Sequence, residues 1–374
     1  MIYLDNAATT HPKPERVYFA VSEAIREGLG NPSRSTHALA RVAEEKIYEA
    51  REAVCRLLSV DSPEGVVFSY NATYALNIAI KSIIDSPCEV ITSDIEHNAV
   101  VRPLAELGKR YGVKAVKFDS GSLTEEGLEG LITKDTRAIV STLHSNVFGR
   151  SVDESILSRV AKKHGLSLIL DGSQALGHRK IDLKKSPCYA ICAPSHKSLF
   201  GIQGSGFVYF SCQKRGKTVI EGGSGTESRN KNMPSFLPDG YEAGTPGVPS
   251  IISLLEGLSF IESVGIDAIS ARIDFLTEKL YDRLSSVKGT TVYPFGGGIL
   301  SFNLSGVPSH ALSEELDRLG ICTRAGLHCA PSAHSVLGTL EGGAVRLSLS
   351  ALNTEKELDR AYMAIKDISK SLAL

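Results

Sequence analysis

The chain has 374 residues, 42% hydrophobic and 22% charged, a composition that suits a globular protein with a large core. Forty-one basic residues against 42 acidic leave a net charge of −1, which excludes the basic field that nucleic-acid binding needs. No apolar run is long enough to span a membrane, and Met1 to Asp5 lack the basic and apolar regions of a secretory signal. Seven scattered cysteines make an odd count unsuited to a disulfide framework, so a reducing cytoplasm is the expected setting.

From about residue 65 to 210, short apolar runs alternate with amphipathic ones. The predicted strands are Gly65–Phe68, Glu89–Thr92, Val113–Phe118, Ala138–Leu143, Leu166–Asp171, Tyr189–Ala193 and Gly206–Phe210. Helical patterns such as Ala99–Tyr111 and Glu154–His164 separate them. This alternation predicts an α/β fold with a mostly parallel seven-stranded sheet covered on both faces. Gly-rich Glu221–Gly225 and the charged Glu227–Lys231 read as a loop. One long amphipathic segment, Ile251–Leu284, follows, then strands near Thr291–Tyr293 and Ile299–Asn303. A helix at His310–Leu319, a strand at Arg346–Ser350 and a helix from Thr354 complete the pattern. The change predicts a smaller α+β unit, with residues 15–255 as the large domain and 1–14 plus 256–374 as the small one.

Two residues carry the chemistry. Lys197 follows the apolar run Tyr189–Ala193, and Asp171 ends the run Leu168–Asp171. A lysine amine attacks carbonyl carbon to form a Schiff base, best when burial or a neighbouring cation lowers its pKa. Pyridoxal phosphate needs such a lysine, and also a carboxylate that keeps its pyridine nitrogen protonated. Strand carboxyl ends are where α/β folds place ligand-facing residues. Gly201, Gly204 and Gly206, close after the lysine, let backbone approach closely. Taken singly, Lys197 reads as a solvated loop lysine and Asp171 as a helix cap; together they point to the cofactor.

The motifs resemble those of a known family. Tyr3-Leu4-Asp5-Asn6-Ala7-Ala8-Thr9-Thr10, Gly30-Asn31-Pro32-Ser33 with His37, and the segments around Lys197 and Arg346 are similar in order and spacing to the cysteine desulfurases. These SufS-like and NifS-like enzymes belong to the class V, fold-type I pyridoxal-phosphate transferases, and the likeness spans nearly the whole chain. It implies that His97 stacks on the cofactor ring and handles protons, a task suited to imidazole. It implies that Asn146 and Gln174 contact the ring hydroxyl oxygen. Ala72 and Thr73, at a helix start, would hold the phosphate with His196. Relatives often read Ser-Gly-His-Lys where this chain has Pro194-Ser195-His196-Lys197, which leaves Ser195 without an assigned role. Gly244-Thr245-Pro246 matches a segment that reaches the neighbouring subunit's phosphate, which implies a homodimer with shared sites.

By the same resemblance, Cys329 in Arg324-Ala325-Gly326-Leu327-His328-Cys329-Ala330-Pro331 takes sulfur from L-cysteine as a persulfide, for later passage to an acceptor protein. Thiolate is the nucleophile in such a step. Arg346 would grip the substrate carboxylate through its fork, and Arg34 would lie near the substrate side chain. Cys55, Cys192 and Cys212 read as small hydrophobes. His328 beside Cys329 invites a dyad, but adjacent strand residues point to opposite faces. No metal ligands are assigned. A selenocysteine lyase and other class V transferases stay open as alternatives. A dehydrogenase is disfavoured because no G-x-G-x-x-G follows the first strand. A cofactor-free scaffold would leave the pairing of Lys197 with Asp171 unexplained.

Overall fold

The computed structural model describes residues 1–32, 36–211 and 216–371. In chain order, the first elements are β1 (Ile2–Tyr3), α1 (Glu15–Arg26), α2 (Ala38–Leu58), β2 (Val66–Ser69) and α3 (Ala72–Lys81). Next come β3 (Glu89–Ser93), α4 (Asn98–Tyr111), β4 (Lys114–Phe118), α5 (Glu125–Glu129), β5 (Thr136–Thr142) and α6 (Glu154–His164). Strands β6 (Ser167–Asp171), β7 (Ala190–Pro194) and β8 (Gly206–Phe210) complete the seven-stranded sheet, in the order β2-β8-β7-β6-β5-β3-β4. Only β8 runs against its neighbours β2 and β7; the other pairings are parallel. The chain therefore has the fold-type I α/β architecture.

Strand β6 lies fourth of the seven in that order, and Ile169 and Leu170 are buried together with their partners Val140 and Ser141 in β5 and Ala190 and Ile191 in β7, of which Ser141 alone is polar. That is the composition a sheet covered on both faces requires. Helix α4 shows the local logic. His97 caps its start by accepting from the Ala99 amide at 3.0 Å, and Gly112 ends it at φ 75°. Val100, Leu104 and Leu107 recur at helical spacing and are buried against the sheet. Each leucine so placed contributes about 1.5–3 kcal/mol, so Leu104→Ala would loosen the helix.

The remainder comprises α7 (Val248–Val264), α8 (Ile266–Ser285), β9 (Thr290–Val292), β10 (Ile299–Leu304), α9 (Ser309–Arg318), β11 (Ile321–Cys322), β12 (Arg324–Gly326), α10 (Pro331–Leu337), β13 (Ala344–Ser348) and α11 (Glu355–Ser371). A four-stranded antiparallel sheet has the order β12-β13-β10-β9, and β1 pairs with β11. The single helix expected over Ile251–Leu284 is two, broken at Gly265, whose φ of 90° no helix accommodates. Periodicity hides this break because α7 is buried on most of its sides, from Ile251 through Leu255. Ile2 and Leu4 share a core with Leu300, Phe302 and Leu347, whereas α8 contributes Ile273 to the large-sheet core and Leu280 to this one.

Candidate active site

Because β2, β3, β5, β6 and β7 run in one direction, their carboxyl ends open on one edge. A cavity of about 450 Å³ lies there, lined by Ala72, Thr73, His97, Asn146, Asp171, Gln174, His196 and Lys197 among others. Eight expected residues thus meet in one place. Arg346 and Cys329 are not among the lining residues, and neither is Thr245. It lines a second cavity of about 350 Å³ with Tyr48, Tyr70 and Tyr74, and its hydroxyl accepts from Asn31 Nδ2 at 3.3 Å. Arg34 and Cys212 lie outside the described residues.

Lys197 is held in a tight turn. Phe200 N donates to Lys197 O at 2.9 Å and Gly201 N to Ser195 O at 2.8 Å. A Cβ on Gly201 would sit 2.9 Å from Ser195 Cβ, which is why glycine is needed there. Burial lowers the Lys197 pKa to about 8, with Asp171 opposing and the Arg346 and Arg324 cations assisting. Ser195 itself turns away from the cavity. Its hydroxyl lies 2.5 Å from that of Ser205, so it braces the turn from behind.

Asp171 is buried, and its Oδ1 accepts from Ser173 N at 2.9 Å. Asn71 Oδ1 caps α3 by accepting from Tyr74 N at 3.1 Å. The amides of Ala72 and Thr73 then have no acceptor within the helix, and both residues line the cavity. His196 Nδ1 is buried without a partner on the same wall. A helix start, an orphaned imidazole nitrogen, a buried carboxylate and a near-neutral amine form a donor set that fits a phosphate-bearing, carbonyl-bearing pyridine.

His97 accepts at Nδ1, so its neutral ring carries the proton on Nε2. Burial, then the Lys197 charge, lowers its pKa to about 4. Asn146 Nδ2 donates to His328 O at 2.7 Å and Gln174 Nε2 to Ala7 O at 3.0 Å. Each amide keeps a second hydrogen for a ligand. Arg346 is buried at 1% exposure. Its Nη2 meets Asp5 Oδ1 at 2.6 Å and its Nη1 donates to Asn146 O at 2.8 Å, while Nε has no partner. Two of its five N–H donors are engaged, so a fork remains for a carboxylate.

Cys329 is exposed, unlike Cys55 and Cys188, whose thiols burial pushes up to about 11 and 12. His328 and Cys329 have φ of 50° and 57°, two consecutive left-handed residues that cost roughly 1–2 kcal/mol each. The strand alternation invoked for this pair therefore does not apply. The dyad is nonetheless absent, since the His328 ring bonds His334 and the Arg324 carbonyl instead.

Three site residues escaped the sequence reading. Arg324 Nη2 approaches Cys329 Sγ to 3.8 Å, and a cation five residues before the cysteine was the available signal. Lys13 is buried, donates to His196 O at 2.9 Å and has its pKa lowered by burial to about 7. Glu96, adjacent to His97, is buried at 1% exposure and pushed up to about 8 by burial. Nothing in composition marks the last two.

A sheet edge that gathers a lysine, a carboxylate and a helix start places the chain among the fold-type I transferases. The aminotransferase class-V family model matches residues 2–361, and the chain belongs to that family. It is 31% identical over 98% of its length to a probable cysteine desulfurase of Methanothermobacter thermautotrophicus, covering 94% of that protein. It is also 31% identical to one of Halobacterium salinarum, covering 100% of this chain and 92% of that one. Its fold matches the apo structure of a cysteine desulfurase from Thermococcus onnurineus NA1 at TM-score 0.90 and 25% identity, covering 99% and 95% of the two chains. The Escherichia coli cysteine desulfurase CsdA in its S-sulfonic acid form matches at TM-score 0.87 and 26% identity, covering 99% and 94%.

Proposed function

We propose that the protein is a pyridoxal-phosphate-dependent cysteine desulfurase that converts L-cysteine to L-alanine and retains the sulfur on Cys329 as a persulfide. The observation that carries this reading is Cys329. It is exposed on a strained turn, beside the Arg324 guanidinium, and its carbonyl accepts from Asn98 N at 2.8 Å, next to His97.

When bound, pyridoxal phosphate supplies the electron sink that acidifies the substrate's α-carbon. Lys197 would anchor it, Asp171 would hold the pyridine proton, and Ala72, Thr73 and His196 would take the phosphate. His97 would lie against the ring, and the spare amide hydrogens of Asn146 and Gln174 would serve its hydroxyl oxygen. Arg346 would receive the substrate carboxylate on the N–H donors that Asp5 and Asn146 leave free. Lys197, whose pKa burial lowers to about 8 so that a fraction is unprotonated near neutral pH, is the base for the α-proton. The Cys329 thiolate attacks the substrate sulfur, an S–S bond forms and the carbon–sulfur bond breaks. The carbon keeps the bonding pair and, with a proton, becomes the methyl group of alanine.

The reading includes a homodimer. Thr245 lies off its own chain's cavity, and Phe19 and Ile25 of α1 and Tyr48 of α2 are exposed at 65%, 67% and 49%. Apolar surface of this kind suits a partner subunit, whose phosphate Thr245 would complete. The division into 15–255 and 1–14 with 256–374 is also a proposal, supported by Ile2 and Leu4 packing in the small-sheet core. A persulfide-accepting protein would relieve Cys329, and the cytoplasm is the setting proposed. Among the described residues no helix is long and apolar enough to cross a membrane.

Peptide mass spectrometry tests the reading. Holoenzyme given L-cysteine without reductant should gain one sulfur atom on the Cys329 peptide and release alanine in equal amount. Alanine release with an unmodified Cys329 would refute it.

A further inference from the structure

Behind Cys329 lies a line of buried polar side chains that the proposed reaction does not use. His328 Nε2 is 3.2 Å from Arg324 O, His328 Nδ1 is 3.0 Å from His334 Nε2, and His334 Nδ1 is 2.8 Å from Thr339 Oγ1. The two rings lie edge to edge and nearly coplanar, 5.2 Å between centroids and 20° between planes, as that bond requires. His328 and His334 are 3% and 0% exposed.

The direction of every bond follows from the ends. A carbonyl only accepts, so His328 Nε2 must carry a hydrogen. In a neutral ring His328 Nδ1 is then an acceptor, and His334 Nε2 must donate to it. His334 Nδ1 is left as an acceptor, and the Thr339 hydroxyl donates to it. Both rings are thus fixed as neutral Nε2–H tautomers. Burial agrees, lowering the His328 pKa to about 3 and that of His334 to about 4. The charged groups that face the rings are Arg346 for both and Arg324 for His328, and both guanidinium groups oppose protonation.

This line reaches the nucleophile through the backbone. Helix α10 starts two residues after Cys329 and carries His334, and Thr339 follows its Gly338 cap. The carbonyls of His328 and Cys329 are held by Asn146 Nδ2 and Asn98 N, from the cofactor side. The left-handed pair is therefore clamped from both directions, with the His328 ring inward and Cys329 exposed.

We propose that His328, His334 and Thr339 form an uncharged hydrogen-bond relay that positions Cys329, and that His328 is not its base. The inference rests on Cys329 being the sulfur acceptor. All three are positioning residues, and none of them lines the cavity.

The test uses holoenzyme with three variants. His334→Leu removes the donor to His328 Nδ1, whereas the amide of His334→Gln can replace it. His334→Leu should lower kcat for persulfide formation at least about tenfold, as nucleophile misplacement does, with KM for L-cysteine and cofactor absorbance nearly unchanged. His334→Gln should recover most of the loss. In wild-type holoenzyme with 15N-labelled histidine, both rings should stay in the Nε2–H form from about pH 5 to 8, a range in which ordinary histidine titrates. If His334→Leu turns over like wild type while Cys329→Ala is dead, the relay is wrong and the desulfurase reading stands. If Cys329→Ala is active, the desulfurase reading itself fails. A protonated or Nδ1–H ring in the spectrum would overturn the relay even if His334→Leu does not fold.

Discussion

Arg324 Nη2 lies 3.8 Å from Cys329 Sγ, and the two residues are joined through a turn whose last two members are left-handed. A guanidinium keeps its charge and its N–H donors at any physiological pH, so it can hold that sulfur in place throughout. Arg324→Gln should slow iodoacetamide alkylation of Cys329 and persulfide formation roughly tenfold each, with cofactor absorbance retained. Arg324→Lys should lie between. Equal alkylation rates in Arg324→Gln and wild type would remove the cation from the reaction.

Lys197 sets a pH dependence that can be read without turnover. Its pKa is lowered to about 8, and only the unprotonated amine attacks a carbonyl. Reuptake of pyridoxal phosphate by cofactor-free protein should therefore accelerate as pH rises towards about 8 and level off above it. Borohydride should fix the chromophore to wild type and not to Lys197→Ala. A rate flat between about pH 6 and 8 would contradict the assignment.

Asp171 is the only carboxylate lining the cavity among the described residues. Asp171→Asn keeps the shape and loses the charge that holds a pyridine proton, so turnover should fall at least about 100-fold. Near-normal turnover in that variant would relieve Asp171 of its role.

Glu96 makes a prediction about stability. Its Oε1 accepts from Ser93 Oγ and from Thr142 N at 2.8 Å, while buried Oε2 has no partner. In the fold its pKa is raised to about 8, against about 4.3 in an unfolded chain. Between those values the unfolded state loses its proton and the native state keeps it, so stability falls as pH rises. Glu96→Gln removes the term. Its melting temperature should exceed that of wild type at pH 8 by a margin that shrinks towards pH 5. A margin independent of pH would place the proton elsewhere.

Much of this was legible in the residues. Six of the large sheet's strands are largely buried, mostly apolar runs, the edge strand β4 with Lys114 and Lys117 being the exception, and Asp171, His97, Asn146 and Lys197 lie at or just after strand carboxyl ends. What stayed hidden depends on distance in sequence. Lys13 meets His196 across 183 residues, and Asp5 meets Arg346 across 341. Neither partner marks the other in the chain. The turn at His328 and Cys329 was hidden for a different reason. Two non-glycine residues in the left-handed region defy local preference, and long-range bonds from Asn98 and Asn146, which no local pattern announces, help hold them. Strands β11 and β12, of two and three residues, are too short for any alternation to register.

The central claim is that Cys329 takes the sulfur. Its most direct test is Cys329→Ala holoenzyme with L-cysteine and a reductant, following alanine and sulfide together. The predicted result is a cofactor spectrum like that of wild type, with both products falling at least about 100-fold in rate, because Cys329 is the only exposed cysteine among the described residues. Release of both at the wild-type rate would contradict it.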